Sequence, residues 1–91
     1  MANILAVGTT AASSSDFVVV AGTPNTIVLT DAAGPSIPEG GYVSIQFKAA
    51  SGEYITVDYL DWARTGRIMD GPGTYRVHRP LTLIAVGVDL T

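Results

Sequence analysis

One histidine, eight carboxylates and no cysteine limit the chemistry open to this chain. His78 could serve as a general base only beside a nucleophile or a second acid. Thiolate nucleophiles and thiolate metal sites are excluded, and no serine sits in a nucleophile-elbow signature. In the stretch Thr74 to Arg79, Tyr75 and Val77 read as inward and Arg76 and His78 as outward, so His78 is expected at the surface. Asp58 and Asp61 lie close in sequence, but a glycosidase needs two carboxylates facing each other across a cleft. Asp58 reads instead as a solubilising charge on an outward strand face beside Ser44. Asp16, Asp31, Asp70 and Asp89 flank turns or strand ends, where Asp is at home. None opens the spaced run of a calcium loop. The expectation is a chain with no catalytic residue, no metal site and no cofactor, and not an enzyme.

Binding leaves other traces. Tyr42, Gln46, Tyr54 and Thr56 are expected to share one outward sheet face, and aromatic rings beside an amide are also what sugar-binding sheets display. A carbohydrate-binding module is therefore one reading, with ordinary cross-strand pairing as the simpler one. Arg64, Arg67, Arg76 and Arg79 are expected near one end of a sheet, in salt bridges within the chain or with a partner. Trp62, the sole tryptophan, reads either as a cap on the core or as an interface anchor.

Composition narrows the class. Ninety-one residues make one domain, with a modest core and no disulfide to staple it. Charged residues are only 14% and the net charge is −3, which argues against the basic stripe of a nucleic-acid binder. With 47% apolar residues the chain is not disordered, and its sparsely charged surface suits being covered. No apolar run approaches the ~20 residues of a membrane span. The start, Met-Ala-Asn-Ile-Leu-Ala-Val-Gly, lacks the basic region of a signal peptide, so no secretory export is expected.

The elements that would position these residues are strands. Val43, Ile45 and Phe47 alternate with Tyr42, Ser44, Gln46 and Lys48; Ile55, Val57 and Tyr59 alternate with Tyr54, Thr56 and Asp58. The two runs predict a hairpin with a three-residue loop, Ala50-Ser51-Gly52, ending on a left-handed glycine. That register sets Phe47 opposite Ile55, Ile45 opposite Val57 and Val43 opposite Tyr59. A second hairpin is expected from Asp16–Ala21 and Thr26–Thr30 across Gly22-Thr23-Pro24-Asn25. It would put Val18 and Val20 with Ile27 and Leu29 on one face, and Phe17, Val19 and Val28 on the other. Residues 1–15 read as a short strand and flexible arm, and 16–91 as the sandwich domain. Residues 31–41 read as a loop anchored by Ile37. A short strand is expected near Arg67 to Met69. A final strand is expected from Leu81 to Leu90, apolar on both faces, with Gly87 at a bulge or close approach. The sum is an all-β fold, a jelly-roll or immunoglobulin-like sandwich or a compact barrel of seven or eight short antiparallel strands. Ribbons with two dry faces in so small a chain predict association. Phe17, Val19, Val28, Trp62, Ile4 and Leu5 are the candidate interface residues.

Two resemblances add to this. Asp70-Gly-Pro-Gly-Thr-Tyr75 resembles the turn and tyrosine entering the sixth strand of immunoglobulin-like domains, although the Asp-to-Tyr spacing is one residue longer. Three longer stretches are Thr9-Thr-Ala-Ala-Ser-Ser-Ser-Asp-Phe-Val-Val-Val-Ala-Gly22, Gly41-Tyr-Val-Ser-Ile-Gln-Phe-Lys48, and Gly71-Pro-Gly-Thr-Tyr-Arg-Val-His-Arg-Pro80 with Val86-Gly-Val88. In style they resemble the small β-rich virion proteins of tailed bacteriophages. That resemblance implies a head decoration (cement) protein, made in the host cytoplasm and placed on the virion head surface. It implies the major capsid protein as partner, sister copies in a homo-oligomer with a trimer favoured, and no nucleic-acid or membrane partner. A tail fibre, spike or head-tail joining protein is the related alternative.

Overall fold

The computed structural model describes residues 2–31 and 40–91. The expected anchor Ile37 lies outside those residues. The strands are β1 (Ala2–Gly8), β2 (Ala12–Ser13), β3 (Phe17–Val19), β4 (Asn25–Thr30), β5 (Tyr42–Lys48), β6 (Tyr54–Asp61), β7 (Gly66–Met69), β8 (Gly73–Arg79) and β9 (Val86–Leu90). They form two antiparallel sheets. One runs β1-β9-β4-β7; the other runs β2-β8-β5-β6, with β3 also on β8. The fold is thus all-β and sandwich-like, with nine strands among the described residues where seven or eight were expected. Alternation does the sorting: Ile27 and Leu29 of β4, Val43 and Ile45 of β5, Val77 of β8 and Val86 and Val88 of β9 point between the sheets. Each such side chain contributes about 1.5–3 kcal/mol when fully buried.

The hairpin expected from Asp16 to Thr30 does not form. Strand β3 pairs with β8, whereas β4 lies in the other sheet between β9 and β7. Only Val20 and Thr23 bridge the turn, with Thr23 N donating to Val20 O at 3.0 Å. Pro24 follows with no N–H to extend a ladder. Crossing between sheets also resolves the dry faces: Val19 enters the core from one sheet and Ile27 and Leu29 from the other. Val18 and Val20 are left outside.

The central hairpin forms as expected at its tip and departs from expectation further in. Phe47 pairs with Ile55, Ala49 and Gly52 close the turn, and Gly52 has φ +89°. The register then shifts between Ile45 and Gln46, so Ile45 pairs with Asp58 and Val43 with Leu60. Val57 is the extra residue of a β-bulge. Asp58 stabilises it by accepting the Tyr59 N–H at 2.8 Å. Beyond the bulge the faces of β6 are reversed, so that Leu60 is buried and Tyr59 exposed; Val57 at the bulge and Ile55 before it are exposed as well.

The side of the sandwich bounded by β1, β2 and β3 is closed. The segment read as an arm lies within the sheets, with Leu5 in the core. Strands β2 and β3 are two pieces of one edge, parted at Ser14. There Ser14 N donates to Val77 O, and Ser14 Oγ accepts the Val77 N–H at 3.0 Å, so the ladder is completed by a side chain. Arg79, expected in a salt bridge near one end of a sheet, is buried and bonded to backbone carbonyls instead. Its Nε donates to Thr10 O at 2.7 Å, and its Nη1 donates to Ala6 O at 2.7 Å and Val86 O at 2.8 Å. One guanidinium thereby ties β1, the β1–β2 link and the start of β9 to β8.

The final strand begins only at Val86. Leu81 and Leu83 are outside it and exposed, whereas Val86, Gly87 and Val88 are buried. Gly87 marks a close approach, as expected: a Cβ there would lie 2.6 Å from Leu5 O and 2.8 Å from Val7 N, where β1 shifts register against β9. The Tyr75 hydroxyl donates to Gly71 O at 2.9 Å, four residues upstream, as the tyrosine corner of immunoglobulin-like domains does.

Candidate functional site

The outward face of the five-stranded sheet carries a cluster of polar and aromatic groups. Pairing of β5 with β6 and β8 puts Tyr42, Ser44, Gln46 and Lys48 beside Tyr59, Thr56 and Tyr54 on one flank and His78 and Arg76 on the other. The expected grouping of Tyr42, Gln46, Tyr54 and Thr56 is therefore present, but it divides in two.

One half is a charged row. The Tyr54 hydroxyl donates to Asp16 Oδ1 at 2.7 Å, and Lys48 Nζ lies 3.4 Å from Asp16 Oδ2. The Arg76 guanidinium stands 3.6 Å from the centre of the Tyr54 ring, a cation–π contact, and its Nε donates to Gln46 Oε1 at 2.7 Å. The Tyr54 hydrogen bond holds the Asp16 carboxyl below its ordinary 3.8, and the same bond holds the Tyr54 phenol above its ordinary 10.0. A depressed acid stabilises the fold fully above its ordinary value, and that contribution is lost as pH falls through the folded-state value. A raised phenol does so below its ordinary value, and loses it as pH rises through its own folded-state value. Ultraviolet titration is expected to show the Tyr54 phenol ionising late, above its ordinary 10.0. Tyr54→Phe should remove that late step, and Asp16→Asn should shift it to lower pH.

The other half is a cleft of about 230 Å³ lined by Tyr42, Ser44, Gln46, Thr56, Tyr59, His78 and Pro80. His78 is held there by Ser13, whose Oγ is 2.8 Å from Nδ1.

The second candidate is the pair of apolar margins. Between β6 and β7, the end strands of the two sheets among the described residues, lies a depression of about 230 Å³ lined by Ile45, Val57, Ile68, Met69 and Tyr75 together with the charged Asp58, Arg67 and Asp70. Val57 is 54% and Ile68 66% exposed. Asp58 crosses this opening to Arg67, with Nε 2.7 Å from Oδ2, and lies 3.6 Å from Arg64. Asp58 is thus a half-buried tie between sheets, not the outward charge expected. It does not face Asp61, which accepts the Ala63 and Arg64 N–H groups in the turn after β6. The opposite margin carries Val7, Val18, Val20, Leu81 and Leu83, all exposed. The bond from Thr82 N to Thr9 O places the Leu81–Leu83 loop beside the end of β1.

The expected interface residues are dispersed. Leu5 and Val19 are core residues, because β1 and β3 turn those positions inward. Ile4 and Phe17 are half-buried against the core, with Phe17 stacked on Tyr75 at 6.1 Å between ring centres. Val28 is half-buried on β4. Trp62 does not cap the core; it is 45% exposed beyond β6. Sequence reading missed Val57 and Ile68. The usable signal was the clash of phase in β6, where Leu60 is apolar on the parity opposite to Ile55 and Val57.

Among the described residues no helix is long and apolar enough to cross a membrane, and no three His, Cys, Asp or Glu side chains are grouped to hold a metal ion. No protein-family model matches this chain, and neither does any curated protein or solved structure.

Proposed function

We propose that the protein is a structural association subunit that joins copies of itself side by side, and that it serves as a decoration protein clamping major capsid subunits on a tailed-phage head. The observation that carries the reading is the pair of unlike apolar margins on opposite sides of the sandwich. Val57 and Ile68 flank one, and Leu81 and Leu83 mark the other. Apolar area removed from water there contributes about 25 cal/mol per Å². Joining one margin to the other is a head-to-tail contact, and such contacts close into rings when the rotation allows. This suits the trimer better than a two-fold dimer. A standard interface takes about 800 Å² from each partner, roughly one sixth of the 4952 Å² this chain exposes. The virion assignment rests on the resemblance of the small-residue start, the central hairpin and the closing strands to phage head proteins.

The test is co-sedimentation with empty expanded tailed-phage heads assembled from major capsid protein. The wild-type protein is expected to coat the heads in hundreds of copies, and the double variant Val57→Asp, Ile68→Asp to stay in the supernatant. A wild-type protein that ignores the heads would overturn the capsid assignment. Its presence at the tail tip alone, seen by imaging, would favour the fibre or joining role.

A further inference from the structure

We infer that the cleft on the outward face of the five-stranded sheet is a binding site for a single neutral sugar ring. It lies on a sheet face and not at either margin, so it is independent of the association proposed above.

Its walls are aromatic. Tyr59 is 53% exposed, and its ring meets that of Tyr42 at 6.2 Å between centres and an interplanar angle of 52°. Two tilted rings with an open side offer a flat apolar platform and a second wall. A pyranose presents a matching pair of surfaces, an apolar face of C–H bonds and a rim of hydroxyls. The polar groups of the cleft are held to serve that rim. Gln46 Oε1 is taken by Arg76 Nε, which fixes the amide and turns its NH2 group to donation. His78 Nδ1 is occupied by Ser13 Oγ, which holds the ring and leaves Nε2 for a ligand. Ser44 Oγ donates to His78 O at 3.3 Å, so its oxygen can still accept, and Thr56 adds an exposed hydroxyl.

Size and charge select the ligand class. The cleft holds about 230 Å³, below the roughly 300–1,000 Å³ of sites for drug-sized ligands, so it suits one ring and not a chain of them. Among the described residues no carboxylate or cation lines it. The nearby Arg76 and Lys48 are engaged with Gln46, Tyr54 and Asp16. A neutral hexose or N-acetylhexosamine fits that lining better than a sugar acid. Tyr54 is not part of the site, since Arg76 covers its ring and Asp16 holds its hydroxyl.

The experiment is a ¹⁵N–¹H NMR titration of the whole chain with the methyl glycosides of glucose, galactose, mannose and N-acetylglucosamine. At least one is expected to give saturable shifts that centre on Gln46, Thr56, Tyr59 and His78. Tyr59→Ala should weaken that binding about tenfold or more, a loss of 1.4 kcal/mol per decade, while its spectrum stays dispersed as a folded protein's. Thr56→Val should weaken it less, and Tyr54→Phe and Leu83→Asp should bind as the wild type does. No saturable shift with any of the four glycosides would overturn the inference. So would shifts centred elsewhere, or unchanged binding by Tyr59→Ala.

Discussion

Arg79→Met is expected to destabilise the fold by about 3 kcal/mol or more, the largest loss of any substitution outside the apolar core. Methionine keeps most of the apolar stem but none of the donors. The carbonyls of Thr10, Ala6 and Val86 then lose their partner together. A hydrogen bond to a charged group contributes about 1.5–3 kcal/mol, and a stranded buried acceptor costs about 1–3. Water entering the site recovers part of the sum, which sets the lower figure. Domains of this size are stable by only about 5–15 kcal/mol, and 3 kcal/mol corresponds to a fall in Tm of roughly 12–24 °C. Arg79→Lys should lie between, because an ammonium cannot reach three carbonyls from one planar fork. Arg76→Met, on the solvated face, should cost about 1 kcal/mol or less. Urea unfolding of the three variants checks the series. A loss at Arg79 no greater than that at Arg76 would mean the buried guanidinium is not what holds β1 to β8.

Gly87→Ala is expected to cost about 2 kcal/mol or more, through one methyl group. The added Cβ would sit 2.6 Å from Leu5 O, 2.8 Å from Val7 N and 3.1 Å from Ala6 C. These are backbone atoms, so no rotamer change relieves the contact; β1 itself has to move. Overpacking of this kind typically costs about 1–3 kcal/mol, and here it also loosens Leu5 from the core. Hydrogen exchange should show the amides of β1 opening first, ahead of those of β5 and β8. Wild-type protection of β1 in the variant would contradict the register described for β1 and β9.

These two residues also show what could be read from the sequence. Gly87 stood out there, because a glycine inside an apolar strand has few reasons to exist other than a bulge or a close approach. Gly52 was legible for a similar reason, since the hairpin turn needed a left-handed residue. The alternation of β5 was clear because each odd residue from Val43 to Phe47 is apolar. Arg79 was not legible: alternation gives the face a residue occupies, but an arginine normally argues for the surface, and its three carbonyl partners come from distant segments. The β6 bulge was hidden because Ile55, Val57 and Tyr59 imitate an inward row, and only pairing with β5 reveals that Asp58 and Leu60 take that face. The separation of β3 from β4 was hidden too. A Gly-Thr-Pro-Asn turn reads the same whether the chain returns to its own sheet or crosses to the other. For the candidate site, the sharing of one face by Tyr42, Gln46 and Thr56 was readable from parity. Tyr59 was assigned to the wrong face by the same missed bulge, and with it the cleft.

Unlike margins on opposite sides of the sandwich are expected to join head to tail. Light scattering on mixed variants tests it most directly. Val57→Asp, Ile68→Asp breaks one margin and Leu81→Asp, Leu83→Asp the other. Wild-type protein is expected to form a closed ring of three chains, and each variant alone to remain a 9.4 kDa monomer. An equal mixture of the two variants should form a dimer and nothing larger, because only one intact margin of each kind survives per pair. A wild-type monomer at high concentration, or a variant that dimerises alone, would contradict the account.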